Sequence, residues 1–328
     1  MSGGTILGDP WPRFINPAEF GGYLMSRSAR SVFATAFAVA SPRVLFLSGV
    51  GALACAFAAG AAPQADPSPA QTGASTASKE LRICASAKQL PYSAKDGSGF
   101  ENKIGAIVAK AMGREPVFVF ADKPAIYLVR DWLDKNKCDV IIGLDAGDAR
   151  VLTTKPYYRA AYVFVTQKDR GLAIQSWNDP KLKQLGHIVV DLGSPSETML
   201  KQIGAYESDM AYLYSLVGFK APRNEYVQIS PERMIGEIKT GGADLAAAFA
   251  PDVARYVKGD SSLSMIPVRD DAKGASGEKL PQQYDQAMGV RIGDAQLLSE
   301  LDEALVRANA QIKAVLKDEG IPLVDASK

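Results

Sequence analysis

The sequence predicts an α/β fold of two lobes, each built on a parallel sheet, joined by a hinge and enclosing a central cleft. Three observations carry this. From residue 81 onward, short apolar or β-branched runs alternate with helical runs, as strands joined by crossover helices require. The alternation falls into two blocks of roughly 90 residues, a common domain size, followed by one more strand and a long helix. Tyr162–Thr166 leaves the first block and the chain returns near Val268–Tyr284. Two crossings of this kind suit lobes that close on a ligand.

In the first block, Leu81–Ser86 is a strand ended by the turn Gln89-Leu90-Pro91-Tyr92. Phe100–Met112 is a helix because Ile104, Ile107, Val108 and Ala111 recur at three- and four-residue spacing, and Gly113 stops it. Val117–Phe120 is a strand, and Lys123–Lys135 a helix with Pro124 in its first turn. Cys138–Leu144 is nearly all apolar, as a parallel strand buried on both faces must be. In the second block His187–Leu192 is a strand and Ser194–Ile203 a helix opened by Ser194 and Pro195. Val227–Ile229 is a short strand, Pro231–Thr240 a helix ended by Gly241-Gly242, and Asp244–Phe249 and Leu263–Val268 are strands. Lys273–Gln282 is loop and Gln286–Ile292 a strand. The last helix is Asp294–Glu319, striped by Leu297, Leu301, Leu305, Ala308, Ile312 and Val315. One lobe therefore takes residues 81–167 and 273–328, the other 168–272.

Composition excludes several classes. The 328 residues carry 37 Lys+Arg against 36 Asp+Glu, a net charge of +1 without a basic block, so no positive face for nucleic acid is expected. Hydrophobic residues at 47% and charged residues at 22% exclude a disordered or coiled-coil chain. One His (His187) and three Cys argue against a His/Cys metal site, and no cofactor site is expected. Neither a Gly-x-Ser-x-Gly elbow, a phosphate loop nor a dinucleotide motif is present.

Residues 1–62 read as a secretory signal peptide with a long leader. Arg27, Arg30 and Arg43 precede the apolar run Val44–Ala59, which ends in Ala59-Gly60-Ala61. That run is shorter than the about 20 residues a spanning helix needs, so no membrane span is expected after cleavage; a retained anchor is the other reading. Met25 is an alternative start. Residues 63–80, rich in Pro, Ala, Ser, Gln and Thr, are a flexible linker. Without the leader, Cys84 and Cys138 remain. An even pair in an exported protein is most simply one disulfide, closing a loop of about 55 residues worth roughly 4 kcal/mol. Two buried free thiols are the alternative.

Several segments resemble the type II periplasmic solute-binding fold. They are Pro91-Tyr92-Ser93, Gly99-Phe100-Glu101, Cys138-Asp139-Val140-Ile141-Ile142-Gly143, Arg150 and Pro156-Tyr157-Tyr158. The likeness spans nearly all of residues 81–325. Three longer runs, Lys95–Ile104, Asp122–Asp131 and Cys138–Arg159, resemble one branch of it, the MxaJ/XoxJ (MoxJ) family of methanol oxidation systems. The resemblance implies a non-enzymatic periplasmic accessory protein that helps assemble, mature or activate the PQQ-dependent quinoprotein methanol dehydrogenase. PQQ, Ca²⁺ and lanthanide would belong to that partner. The other implied reading is an importer receptor for a small non-amino-acid solute.

In amino-acid receptors of this fold an Arg after the third strand pairs with the ligand carboxylate, and Arg150 stands at that place. The usual Thr before it is replaced by Gly147-Asp148. The acid expected five residues after Asp244, to hold an amino group, is replaced by Phe249, with Asp252 displaced by three. Cleft candidates are therefore Tyr92, Arg150, Tyr158, Ser194 and Ser196. Ser194 and Ser196 open a helix that either binds a small anion or is simply capped. Tyr158 either stacks on a ligand or packs at the hinge. Asp145, Asp148 and Glu197 are candidate general acids and bases, or loop and cap acids. His187 is a candidate base, or a satisfied side chain. Tyr206, Met210, Tyr212, Tyr214 and Phe219 form an aromatic insertion that either docks on a partner or packs in the core.

Overall fold

The computed structural model describes residues 79–123, 125–218 and 228–324. The expected signal peptide, its leader and nearly all of the linker lie outside these residues, as do Pro124, Phe219 and Val227. Among the described residues no helix is long and apolar enough to cross a membrane.

Strand β1 (Glu80–Ser86) leads through a small hairpin, β2 (Lys88–Gln89) and β3 (Ser93–Ala94), into α1 (Phe100–Ala111). The apolar stripe Phe100, Ile104 and Val108 on α1 is wholly buried. Gly105 lets the helix approach the sheet, since a Cβ there would stand 2.7 Å from Ile142 Cδ1. The chain then forms β4 (Glu115–Ala121) and β5 (Val140–Asp145), both parallel to β1.

Between β4 and β5 the expected α-helix is instead a 3-10 turn at Ala125–Tyr127 followed by a π-turn at Val129–Leu133. The tighter and wider turns together bury Leu128, Val129 and Leu133 against the Cys84–Cys138 disulfide, so packing overrides the local helical preference. The bridge has a Cα–Cα distance of 5.4 Å across a separation of 54 residues. Its Cys residues are buried. Cys84→Ser is expected to lower unfolding free energy by about 3–4 kcal/mol. Identical denaturation midpoints with and without reductant would contradict this.

After β6 (Leu152–Thr153) comes the ten-residue strand β7 (Tyr158–Gln167), the first crossing between lobes. Its first half pairs with the return strand, and its second half pairs with strands of the other lobe. That lobe contains β8 (Ile188–Val190), α2 (Pro195–Gln202), α3 (Tyr206–Leu216), α4 (Pro231–Thr240), β9 (Leu245–Phe249), α5 (Ala250–Lys258) and β10 (Leu263–Pro267). The expected strand at Val227–Ile229 is not formed over Gln228–Ile229, although Ile229 is buried in the core. Helix α5, which the sequence analysis leaves unassigned, buries Val253 and Val257 in the second lobe and Ala254 against the first. The chain returns through β11 (Gln283–Val290) and ends in α6 (Ala295–Glu319), which packs against α1.

The strands form one path, β4-β1-β5-β11-β7-β9-β8, with β6 on β11 and β10 on β7. The two lobes are as expected, but each sheet is mixed. The strands β4-β1-β5 and β8-β9 are parallel, whereas β11 is antiparallel to β5, and β7 to β9. Chain direction explains this. Strands β5 and β9 run toward the hinge, and a strand entering a lobe from the hinge must run away from it.

Candidate functional site

A cavity of about 260 Å³ lies at the carboxyl ends of β1 and β5, where ligands of open α/β sheets sit. Its walls come from both lobes: Ser86, Tyr92, Glu101, Phe118 and Asp145 from the first, Phe249 and Asp252 from the second. Several polar walls are already satisfied. The Ser93 hydroxyl donates to the Ser86 carbonyl (2.8 Å), Asn102 Nδ2 donates to Ser93 (3.1 Å), and Gln286 Nε2 donates to Asp145 Oδ1 (2.7 Å). At the hinge, Tyr162, Phe249 and Tyr284 form an aromatic cluster with ring centroids 5.5–6.2 Å apart.

Negative charge is concentrated here. Glu101, Asp145 and Asp252 line the cavity, and among the described residues no Lys, Arg or His does. Burial and the charge of Asp252 push the Glu101 carboxyl up to about 8. Gly143, at a φ of 75°, leaves the space that the Glu101 carboxylate occupies; a Cβ would collide with it. Burial raises Asp252 too, although the Tyr92 hydroxyl, hydrogen-bonded to it, offsets part of that. Asp191, at the end of β8, is raised by burial and by the neighbouring Asp252 charge. Burial likewise raises Asp145, against the hydrogen bond from Gln286. None of these four carboxylates forms an ion pair among the described residues.

Helix α5 also fastens the lobes together. Arg255 Nε and Nη2 donate to Glu319 at 2.7 and 2.8 Å, and Nη2 donates further to the carbonyls of Ser98 (3.0 Å) and Pro91 (3.3 Å). Lys258 bonds Asp318 on α6, and Lys103 stands 3.5 Å from Glu319.

No protein-family model matches the chain. Protein MoxJ of Methylorubrum extorquens strain AM1 is 56% identical over 278 residues, covering 83% of this chain and 92% of that protein. Protein MoxJ of Paracoccus denitrificans is 43% identical over 270 residues, 82% of this chain and 96% of that protein. The chain belongs to the MoxJ family. Among solved structures, MxaJ from Methlophaga aminisulfidivorans MPT superposes with a TM-score of 0.71 at 46% identity, over 74% of this chain and 100% of that one. The periplasmic binding protein XoxJ from Methylobacterium extorquens AM1 is 25% identical, with a TM-score of 0.54 over 75% and 100% of the two chains. An ancestral cationic amino acid solute binding protein (20% identical, TM-score 0.54, 74% and 96% covered) shares the fold.

In this MoxJ-family chain the candidate cleft residues separate. Tyr92 lines the cavity. Tyr158 is not among the residues that line it; it is packed in the first lobe's core, 6% exposed, with no hydrogen-bond partner for its hydroxyl among the described residues. Arg150 lines a different pocket, beside Tyr127 and Arg130, and its guanidinium is fork-paired with Asp148 at 3.0 and 2.6 Å. Ser194 caps α2, accepting from Glu197 N at 3.3 Å, while Glu197 accepts from Gly193 N at 2.5 Å and pairs with Lys201 at 2.8 Å. The start of α2 is thus capped by its own side chains. Ser196 is fully buried with an unpartnered hydroxyl. His187 is satisfied by Asp209 at 2.7 Å and stacks on Tyr212.

On α3, Tyr212 packs on the core and donates to Glu237 at 2.8 Å, and Tyr206 lies under the Lys201 ammonium. Met210 and Tyr214 are exposed, at 45% and 54%. Asp252, counted as displaced along the sequence, nevertheless reaches the cavity because α5 begins immediately after β9 and its first turn points inward. Glu101 and Asp191 are the acids that sequence reasoning missed as site residues. Glu101 lines the cavity from the start of α1, and Asp191, just after β8, feels the charge of Asp252; both stand at the end of an apolar element, which is the signal that marks them.

Proposed function

We propose that this chain is a non-enzymatic periplasmic accessory protein of the methanol oxidation system, assisting assembly, maturation or activation of PQQ-dependent methanol dehydrogenase. Membership of the MoxJ family and the binding-protein fold support it, and the buried disulfide suits an oxidising compartment. The observation that carries it against a receptor for amino acids is the charge of the cleft. Among the described residues no base lines the cavity, and Arg150 is fork-paired with Asp148 at a separate pocket, so a ligand carboxylate would meet acids and no cation. The ion pairs of α5 with α6 couple the lobes through the protein's own groups, which favours a body acting through its surface. Tyr206, Met210, Tyr212 and Tyr214 on α3 are the proposed contact, with Met210 and Tyr214 exposed.

The test is a pull-down with the exported chain from a periplasmic extract, joined to a deletion strain. The dehydrogenase is expected to be retained, and its specific activity to fall in the strain lacking this chain. No retention together with normal dehydrogenase activity would overturn the reading. The importer-receptor alternative draws on the cavity itself, and loss of uptake of one solute in the deletion strain would establish it instead.

A further inference from the structure

The strand path ends differently on its two sides. At one end β8 is three residues long and wholly buried, and Asp209 Oδ2 closes its margin by accepting from Ile188 N at 3.0 Å. At the other end stands β4, seven residues long and paired only with β1. Its pairing fixes which backbone groups look outward. Glu115 N donates to Lys79 O and Ala121 O accepts from Ala87 N, both at 2.8 Å, so residues 115, 117, 119 and 121 turn their groups toward β1. Backbone direction alternates along a strand, which leaves the N–H and C=O of Phe118 and Phe120, and the C=O of Pro116, on the open side. Among the described residues no hydrogen bond reaches these outward groups. Val117, Phe118, Val119 and Phe120 are all partly exposed, and the rings of Phe118 and Phe120 stack with centroids 5.9 Å apart. A long, apolar, open edge is a template for another strand.

We propose that β4 pairs with β4 of a second copy of this chain, antiparallel about a two-fold axis at Val119, so that the sheet continues across a dimer. The edge is self-complementary in that register. Phe118 stands opposite Phe120 of the second copy and exchanges both backbone bonds with it, and the symmetric pair does the same, which gives four bonds. The Phe rings meet across the strands on one face, while Val119 meets Val119 and Val117 meets Ala121 on the other. Charge selects the same arrangement. The two-fold brings Glu115 of each copy beside Lys123 of the other, and both residues are exposed. Pro116 selects it too, because it has no N–H to donate. A slip of two residues toward the start of the strand would set Pro116 opposite Phe120 and lose two bonds. The matched charges at both ends favour a second copy over an unrelated extended segment.

The experiment is sedimentation of the purified exported chain from about 1 to 300 μM, with hydrogen exchange of the β4 amides recorded alongside. A monomer–dimer equilibrium with a Kd in the micromolar range, roughly 1–100 μM, is expected of so small an interface. The Phe118 and Phe120 amides should exchange more slowly as the dimer fills. Glu115→Lys alone and Lys123→Glu alone should each raise Kd roughly tenfold, and the double reversal should restore it to within about threefold. Phe120→Pro removes one outward N–H per copy and should raise Kd at least about tenfold. A chain that stays monomeric across the range overturns the proposal. So does a dimer that ignores both charge reversals, since another face would then hold it. Protection of the β4 amides that appears only on adding methanol dehydrogenase would assign the edge to that partner and overturn it as well. The charge-reversal pair decides the matter even if Phe120→Pro fails to fold. The self-association is measured without the dehydrogenase, so its failure leaves the accessory reading standing.

Discussion

Glu101→Gln is expected to stabilise the empty protein at pH 8 by about 2 kcal/mol and to flatten its stability between pH 5 and pH 8. The carboxyl titrates near 4.5 in an unfolded chain and at about 8 in the folded one. Its contribution is therefore fully present below pH 4.5 and lost as pH rises through 8, because the unfolded chain releases the proton first. The full shift would correspond to about 5 kcal/mol, and less than half is claimed because the group opens onto a solvent-accessible cavity. Asp145, Asp191 and Asp252 are shifted in the same direction and add to the slope. Asp131, Asp139 and Asp148, held down by Arg130, Arg82 and Arg150, act oppositely and lose their contribution on acidification. Urea titrations from pH 5 to pH 9 check the result. A wild-type protein equally stable at pH 6 and pH 8, or a Gln variant with an unchanged slope, would refute it.

Arg255→Ala is expected to cost about 3–4 kcal/mol and to separate the lobes. Glu319 is 5% exposed and takes a bidentate pair from Arg255, while the same guanidinium holds the Pro91 and Ser98 carbonyls. Removing one partner of a buried pair leaves an uncompensated charge, which costs far more than the pair itself contributes. Lys103, at 3.5 Å, is placed to compensate only in part. Arg255→Lys should recover less than half of the loss, since an ammonium cannot bridge both carboxylate oxygens and two carbonyls at once. Denaturation midpoints measure the cost, and small-angle scattering should show a larger radius of gyration for the Ala variant. A midpoint unchanged within about 0.5 kcal/mol, the ordinary scatter of surface substitutions, would show that the latch is dispensable.

The same residue shows why part of the site was illegible from the sequence. Arg255 reads as one more polar position on a short segment, and nothing local says that Glu319, 64 positions on, lies opposite. Helix α5 carries a weak sequence signal because its apolar positions serve two cores at once, which blurs the single stripe that a helix normally shows. The helical pattern over residues 125–133 is real, while the choice among 3-10, α and π geometry is made by what Leu128, Val129 and Leu133 must bury. Asp252 lies three residues beyond the position where receptors carry their acid, yet spacing along a strand carries no information about where the following helix points.

By itself the sequence determined the elements whose evidence is local and periodic. Helices α1 and α6, the capped starts of α2 and α4, the buried strands β5 and β9, and the two crossings between lobes follow from apolar spacing and from Ser, Pro and Gly at element ends. It also determined the family, because long contiguous runs resemble it. The tertiary structure alone decided the character of the cleft. Glu101, Asp145 and Asp252 lie on separate elements, and only the folded topology places them around one space, brings Asp191 near Asp252 and turns Arg150 away toward Asp148. The physical reason is that periodicity reports which face of an element is buried, whereas charge accumulated in a cavity depends on which elements meet there.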